Sequence, residues 1–181
     1  MQQIKKMKIL FAIVVTILLT SCSGNNMKPI DFKDQKPRLI IEEYLSGKVE
    51  AWGVLQNRSG KVTRQFKADL EGKWDGKTLI LDEVFDWNDG ERQTRQWKIN
   101  KIDDHNYEGT ASDVVGIAKG YSYGPAFKFE YVLLVPVKGK NIKITFDDWI
   151  FKQDESVAIN RATMTKFGIK VAELTVMFVK D

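Results

Sequence analysis

The chain is poor in the residues that carry most enzyme chemistry. Its 181 residues include one cysteine and one histidine. A lone cysteine excludes a disulfide within the chain, so stability must come from packing rather than from a cross-link. A lone histidine, His105, is too little for the usual zinc sites or for a nucleophile–histidine–acid arrangement, which need further ligands or partners converging on one point. It stands in a polar turn beside Asp103 and Asp104, the setting of a solvated loop residue. The apolar run near the start extends only from Ile9 to Leu19, well short of the roughly 20 residues of a membrane-spanning helix. An excess of one charge is also missing. There are 28 basic and 24 acidic residues, and three of the lysines precede Cys22, so the remainder carries 25 against 24. A near-neutral domain without a clustered basic face argues against a nucleic-acid partner.

What is present begins at the start of the chain. Lys5, Lys6 and Lys8 precede the apolar run, which ends in Leu19-Thr20-Ser21-Cys22. A basic start, an apolar centre and small residues at the cut are the layout of a secretory signal. The last four residues resemble the bacterial lipobox, in which the cysteine thiol is acylated before cleavage. The resemblance implies a lipoprotein signal peptide over residues 1–21, lipidation at Cys22 and a membrane partner reached through the acyl chains, more than one of which is needed for stable anchoring. Ser23 in place of Asp implies the outer membrane, with the domain facing the periplasm. Ser23-Gly24-Asn25-Asn26, Pro29 and Pro37 interrupt any period, and residues 22–37 read as a flexible tether. Residues 38–181 are enough for one domain with a sizeable core.

Within that domain the dominant period is two. Val62, Arg64, Phe66, Ala68, Leu70, Gly72 and Trp74 alternate with Thr63, Gln65, Lys67, Asp69, Glu71 and Lys73, the pattern of a half-buried strand. Leu79, Leu81, Phe85 and Trp87 share a face with Glu83, and Asn88-Asp89-Gly90 announces a hairpin into Arg95, Trp97 and Ile99. Further turns are signalled at Asn57 to Gly60, Asp75-Gly76, Asp103 to Asn106, Tyr123-Gly124-Pro125 and Lys138 to Asn141. Phe127, Phe129, Tyr131, Leu133 and Val135 form one face of a longer strand; Ala172, Leu174, Val176 and Phe178 form one face of the last. These later strands are apolar on both faces and need cover, for which a short helix within Leu39 to Leu45, stopped by Gly47, is the available element. The expected fold is all-β, an antiparallel up-and-down barrel of about 8–10 strands, closure being the way to remove exposed edges.

Several segments resemble a family of proteobacterial lipoproteins of unknown function, described as lipocalin-like. They include Ala51-Trp52-Gly53, Arg58 to Arg64, Gly72-Lys73-Trp74, Asp89 to Arg92, Asp113 to Gly116, Phe146 to Trp149, Asn160-Arg161-Ala162 and Lys166-Phe167-Gly168. The resemblance implies a calycin-type barrel and brings no activity with it. Tyr44 to Val49 is also similar to the lipocalin opening, departing from it at Val49, where that opening has Trp.

The candidate site follows from alternation. With Phe146 inward, Asp148 points inward and Asp147 outward. A buried carboxylate needs a partner, and Arg161 in the next strand is the expected one. Arg95 and Glu83 are the other interior polar groups, and Trp149 is a candidate ligand contact; the remaining tryptophans serve core and rim packing. Gly116, Gly120 and Gly124 lack the lysine and following helix of a phosphate loop and read as bends. No convergent catalytic set is visible, so neither an enzyme, a metal site nor a cofactor is expected. Two functions remain: a lipid-anchored barrel that binds a small apolar or amphipathic molecule, and a filled barrel serving envelope maintenance as a structural or interaction protein. Barrels of about eight strands do either.

Overall fold

The alternating stretches belong to a barrel of ten strands. A computed structural model describes residues 27–137 and 139–180. The strands are β1 (Gly47–Asn57), β2 (Val62–Trp74), β3 (Thr78–Trp87), β4 (Arg92–Lys101), β5 (Asn106–Thr110), β6 (Ala118–Tyr123), β7 (Ala126–Val137), β8 (Lys140–Lys152), β9 (Val157–Lys166) and β10 (Ile169–Lys180). Each pairs antiparallel with its neighbours in sequence, and β10 pairs with β1 to close the barrel. In β2 the expected faces hold: Phe66, Ala68 and Leu70 are buried while Gln65, Lys67 and Asp69 are exposed. The expected turn glycines are in place; Gly90, between β3 and β4, has a φ of 87°, a conformation that a side chain disfavours.

The short helix α1 (Ile41–Tyr44) forms where expected but does a different job. It does not cover the outer wall. It closes one end of the barrel, with Leu39, Ile41 and Leu45 almost fully buried inside. Gly72 permits this approach, because a Cβ there would lie 1.9 Å from the Leu45 carbonyl oxygen. Glu42 turns inward and accepts hydrogen bonds from Lys101 Nζ and Tyr107 Oη, both at 2.8 Å. Burial raises its carboxyl pKa, but the Lys101 bond, a backbone hydrogen bond, the Tyr107 bond and the Lys101 charge together outweigh it and hold the group below its ordinary value. Lys180 Nζ donates to the carbonyls of Glu43 and Tyr44 at the C-terminal end of the helix and of Ser46 just beyond it, where a cation is favoured.

Residues 27–37, expected as part of the tether, lie against the barrel. Pro29–Phe32 is a 3-10 turn, and the Phe32 ring packs 6.0 Å from Trp149 and 5.5 Å from Phe151 on the outside of β8. The folded part therefore starts ahead of residue 38, because two outward aromatics supply the apolar surface that the segment lacks. The expected signal peptide and Cys22 lie outside the described residues.

The strands differ in length, and this shapes the wall. β5 and β6 pair only with the ends of β4 and β7 nearest α1. Beyond them the gap between Arg95 on β4 and Leu133 on β7 is bridged by the loop of residues 111–117. Val115 N donates to Val132 O, Leu134 N donates to Asp113 O, and Val114 bridges Leu133.

Candidate functional site

The inward faces enclose a cavity of about 280 Å³. It runs from α1 to the opposite end of the barrel, which no helix covers among the described residues. Its wall is mostly aromatic and aliphatic, with Phe66, Phe85, Trp97, Phe129, Leu174 and Phe178 prominent. The rings touch in a nearly continuous series: Phe66 lies 5.2 Å from Phe85 and 4.9 Å from Trp87, and Trp97 lies 5.1 Å from Phe129.

Against this wall sits one polar group. Glu83 and Arg95 are cross-strand neighbours on β3 and β4. Arg95 donates to Asp113 from Nε to Oδ1 at 3.2 Å and from Nη2 to Oδ2 at 2.8 Å, a bidentate fork. Its Nη1 lies 3.7 Å from Glu83 Oε2, and that oxygen, fully covered, has no hydrogen-bond partner among the described residues. On the facing wall Tyr131 Oη donates to Asp148 Oδ2 at 2.8 Å, and Asn160 Nδ2 donates to Asp148 Oδ1 and, at 3.2 Å, to the Trp149 carbonyl.

The electrostatics follow from one guanidinium among three carboxyl groups. Burial pushes the Glu83 carboxyl up to about 7; Asp148 and Asp113 add to the rise and Arg95 opposes it. Burial likewise raises Asp148 despite the bonds from Tyr131 and Asn160. It raises Tyr131 well above its ordinary value, with the charge of Asp148 adding. Arg95 is held above its ordinary value because Glu83 and Asp113 outweigh the cost of burying its charge. At the mouth, Arg64 bridges Asp89 at 2.7 Å and Glu91 at 2.8 Å, its guanidinium 3.9 Å from the centre of the Trp87 ring.

Of the expected residues, Asp148, Arg95 and Glu83 come together inside the barrel, and Asp147 faces outward to Lys128. Arg161 does not join them. Its side chain is 64% exposed and pairs with Glu173 at 3.0 Å on the outer surface, because alternation along β9 sends Ala158, Asn160 and Ala162 inward. The expected partner of Asp148 is thus replaced by Asn160 and Tyr131. Trp149 also faces out, buried under Phe32 and stacked on Phe151, with Lys128 Nζ 5.4 Å above its ring. It is not a wall of the cavity.

Three cavity residues escaped the sequence reading. Asn160 is legible from Ala158 and Ala162 two residues either side. Tyr131 shares a face with Phe127, Phe129 and Leu133, and its hydroxyl on that otherwise apolar face calls for a partner. Asp113 left no signal, because it belongs to a loop whose return to Arg95 depends on the shortness of β5 and β6.

The sequence matches, over residues 16–180, the family profile described as "Protein of unknown function (DUF3833)". No curated protein sequence is similar to it. Among solved structures the fold is similar to the S-type phycobiliprotein lyase from Guillardia theta, at a TM-score of 0.57 and 9% identity, over 77% of this chain and 90% of that one. It is also similar to a protein of unknown function of the DUF3598 family from Nostoc punctiforme, at a TM-score of 0.55 and 13% identity. That likeness covers 81% of this chain and 51% of the other, so this chain spans about half its length.

Proposed function

This chain belongs to the DUF3833 family of proteins of unknown function, and from that premise we propose that it is a binding barrel for one small amphipathic molecule. The observation that carries the reading is the cavity: about 280 Å³ of space, apolar on most of its wall, with one convergent polar group. Small-molecule sites combine these properties. A filled barrel would place side chains where this space lies. The solved relatives share the fold, and the chemistry of the reading rests on the cavity alone.

We also propose that the barrel is held at the outer membrane by acyl chains on Cys22, on the strength of the Leu19 to Cys22 pattern. Met27 is the first described residue, and the five residues from Cys22 to it span at most about 17 Å. The packed segment after Met27 thus makes the tether shorter than residues 22–37 imply.

The test is saturable binding of a neutral apolar dye such as Nile red to protein purified without detergent. One site per chain is expected. Ala68→Trp places a large ring in the cavity from a buried position on its wall and should abolish binding while the circular dichroism stays β. Absence of saturable binding to the unaltered protein overturns the reading.

A further inference from the structure

We propose that the cavity is selective for amphiphiles that carry a cationic head, an alkylammonium or a protonated amine, with Glu83 as its counter-ion. The inference rests on the binding-barrel reading and adds the sign of the ligand's charge.

The balance of partners leads to it. An anionic head group would need Arg95, the one cation of the interior cluster. That guanidinium is already occupied: Asp113 takes Nε and Nη2, and Glu83 faces Nη1 at 3.7 Å. Asp148 has its two oxygens filled by Tyr131 and Asn160. Glu83 is the member left over. Its side chain is 12% exposed, it lines the cavity, and its Oε2 has no hydrogen-bond partner among the described residues. A buried carboxyl oxygen without a hydrogen bond is costly. A donor carrying positive charge supplies the missing hydrogen bond and adds to the countercharge of Arg95, which Glu83 shares with Asp113, an interaction strengthened by the low dielectric of the site.

The surrounding rings fit the same sign. The Trp87 face already holds the Arg64 guanidinium, and Phe85 has that of Arg95 at 5.8 Å. Aromatic faces attract cations and repel anions. The apolar remainder of the cavity, from Phe66 to Leu174 and Phe178, takes the tail. The groups facing Glu83 are Arg95 from β4, Asp113 from the loop, Tyr131 from β7 and Asp148 from β8. Two of these four are carboxyl groups and Tyr131 stays a neutral phenol, so with Glu83 the carboxyls outnumber the single guanidinium and an added cation is favoured over an anion. In the empty cavity burial holds the Glu83 carboxyl near 7, so the site gains its negative charge as pH rises through neutrality.

The experiment compares octylammonium, octanol and octanoate, one tail with three heads, by titration calorimetry on protein purified without detergent. At about pH 8 the ammonium is expected to bind roughly tenfold or more tighter than octanol, and octanoate weakest; at about pH 5.5 the ammonium preference should shrink several-fold as Glu83 takes up its proton. Glu83→Gln should bring the ammonium-to-octanol ratio close to one. Equal or tighter binding of octanoate, or a preference unchanged by pH, overturns the charge assignment and leaves the binding barrel standing. Failure of all three to bind overturns the binding barrel and this inference with it. The comparison of heads and its pH dependence need only the unaltered protein, so they decide the matter even if the variant does not fold.

Discussion

Burial, with like charge from Asp148 and Asp113, moves the Glu83 carboxyl from an ordinary 4.5 to about 7. Between those values the unfolded chain ionises the group while the folded chain keeps its proton. Stability attributable to Glu83 is therefore full below about 4.5 and declines as pH rises to about 7, by an amount on the order of 3 kcal/mol. Asp148 is raised in the same direction and adds to the slope. Urea unfolding at pH 5 and pH 8 should show Glu83→Gln gaining stability relative to the unaltered protein at the higher pH; a constant difference would mean that Glu83 does not titrate in this window. The two arginines offer a second comparison. Arg95, 15% exposed, pairs with the half-buried Asp113 and faces the buried Glu83, and Arg95→Met should cost about 3–5 kcal/mol by stranding them. Arg161, 64% exposed, holds a surface pair, and Arg161→Ala should cost less than about 1 kcal/mol by the same measurement.

The least expected behaviour of an element is that of α1. At four residues it cannot stand alone, since short helices are marginal without packing. Its position is secured from outside: Ser122 Oγ donates to the Leu39 carbonyl at 2.9 Å, Leu39 N donates to Gly124 O at 2.8 Å, and Tyr44 Oη donates to Ser156 O at 2.9 Å. The space for it is set by Gly72 on β2. Gly72→Ala should force the Leu45 carbonyl away and destabilise the protein by about 1–3 kcal/mol, as overpacking does. Hydrogen exchange at Leu39 to Leu45 should accelerate more than exchange in β8. Uniform protection across both would show that the plug tolerates the methyl group.

For the whole molecule, the barrel and its N-terminal segment form one packed unit. Phe32 covers Trp149 and Phe151, so a chain beginning at Gln35 exposes both rings. It should melt several degrees below a chain beginning at Met27, since a lost contact of 1 kcal/mol shifts a domain of this size by roughly 2–4 °C, and its tryptophan emission should move to the red. Equal melting temperatures would return residues 27–37 to the tether.

How much of this was legible depends on how local the cause is. Alternation is local, so a barrel of about 8–10 strands, nearly every turn and the inward placement of Glu83, Arg95 and Asp148 follow from runs such as Val62 to Trp74. Where the pattern is weak, a slip of one residue reverses the face. On β9 the large Ile159 lies outside, 41% exposed, and the small Ala158 and Ala162 lie inside, the reverse of what size suggests; placing Ile159 inward carries Arg161, two residues on, inward with it. The interior there takes small residues because Phe127, Phe129 and Phe146 from neighbouring strands already project into it. Three features were decided only in the closed fold: α1 as a plug, the N-terminal turn over Trp149, and Asp113 at Arg95. Each depends on distances between residues far apart in the chain, set by strand lengths and by closure of β10 on β1. The sequence by itself determined the alternation and hence the barrel; the fit of side chains across it, and so the cavity and the Glu83 oxygen left without a hydrogen bond among the described residues, came from the tertiary structure, because packing depends on neighbours that no local period specifies.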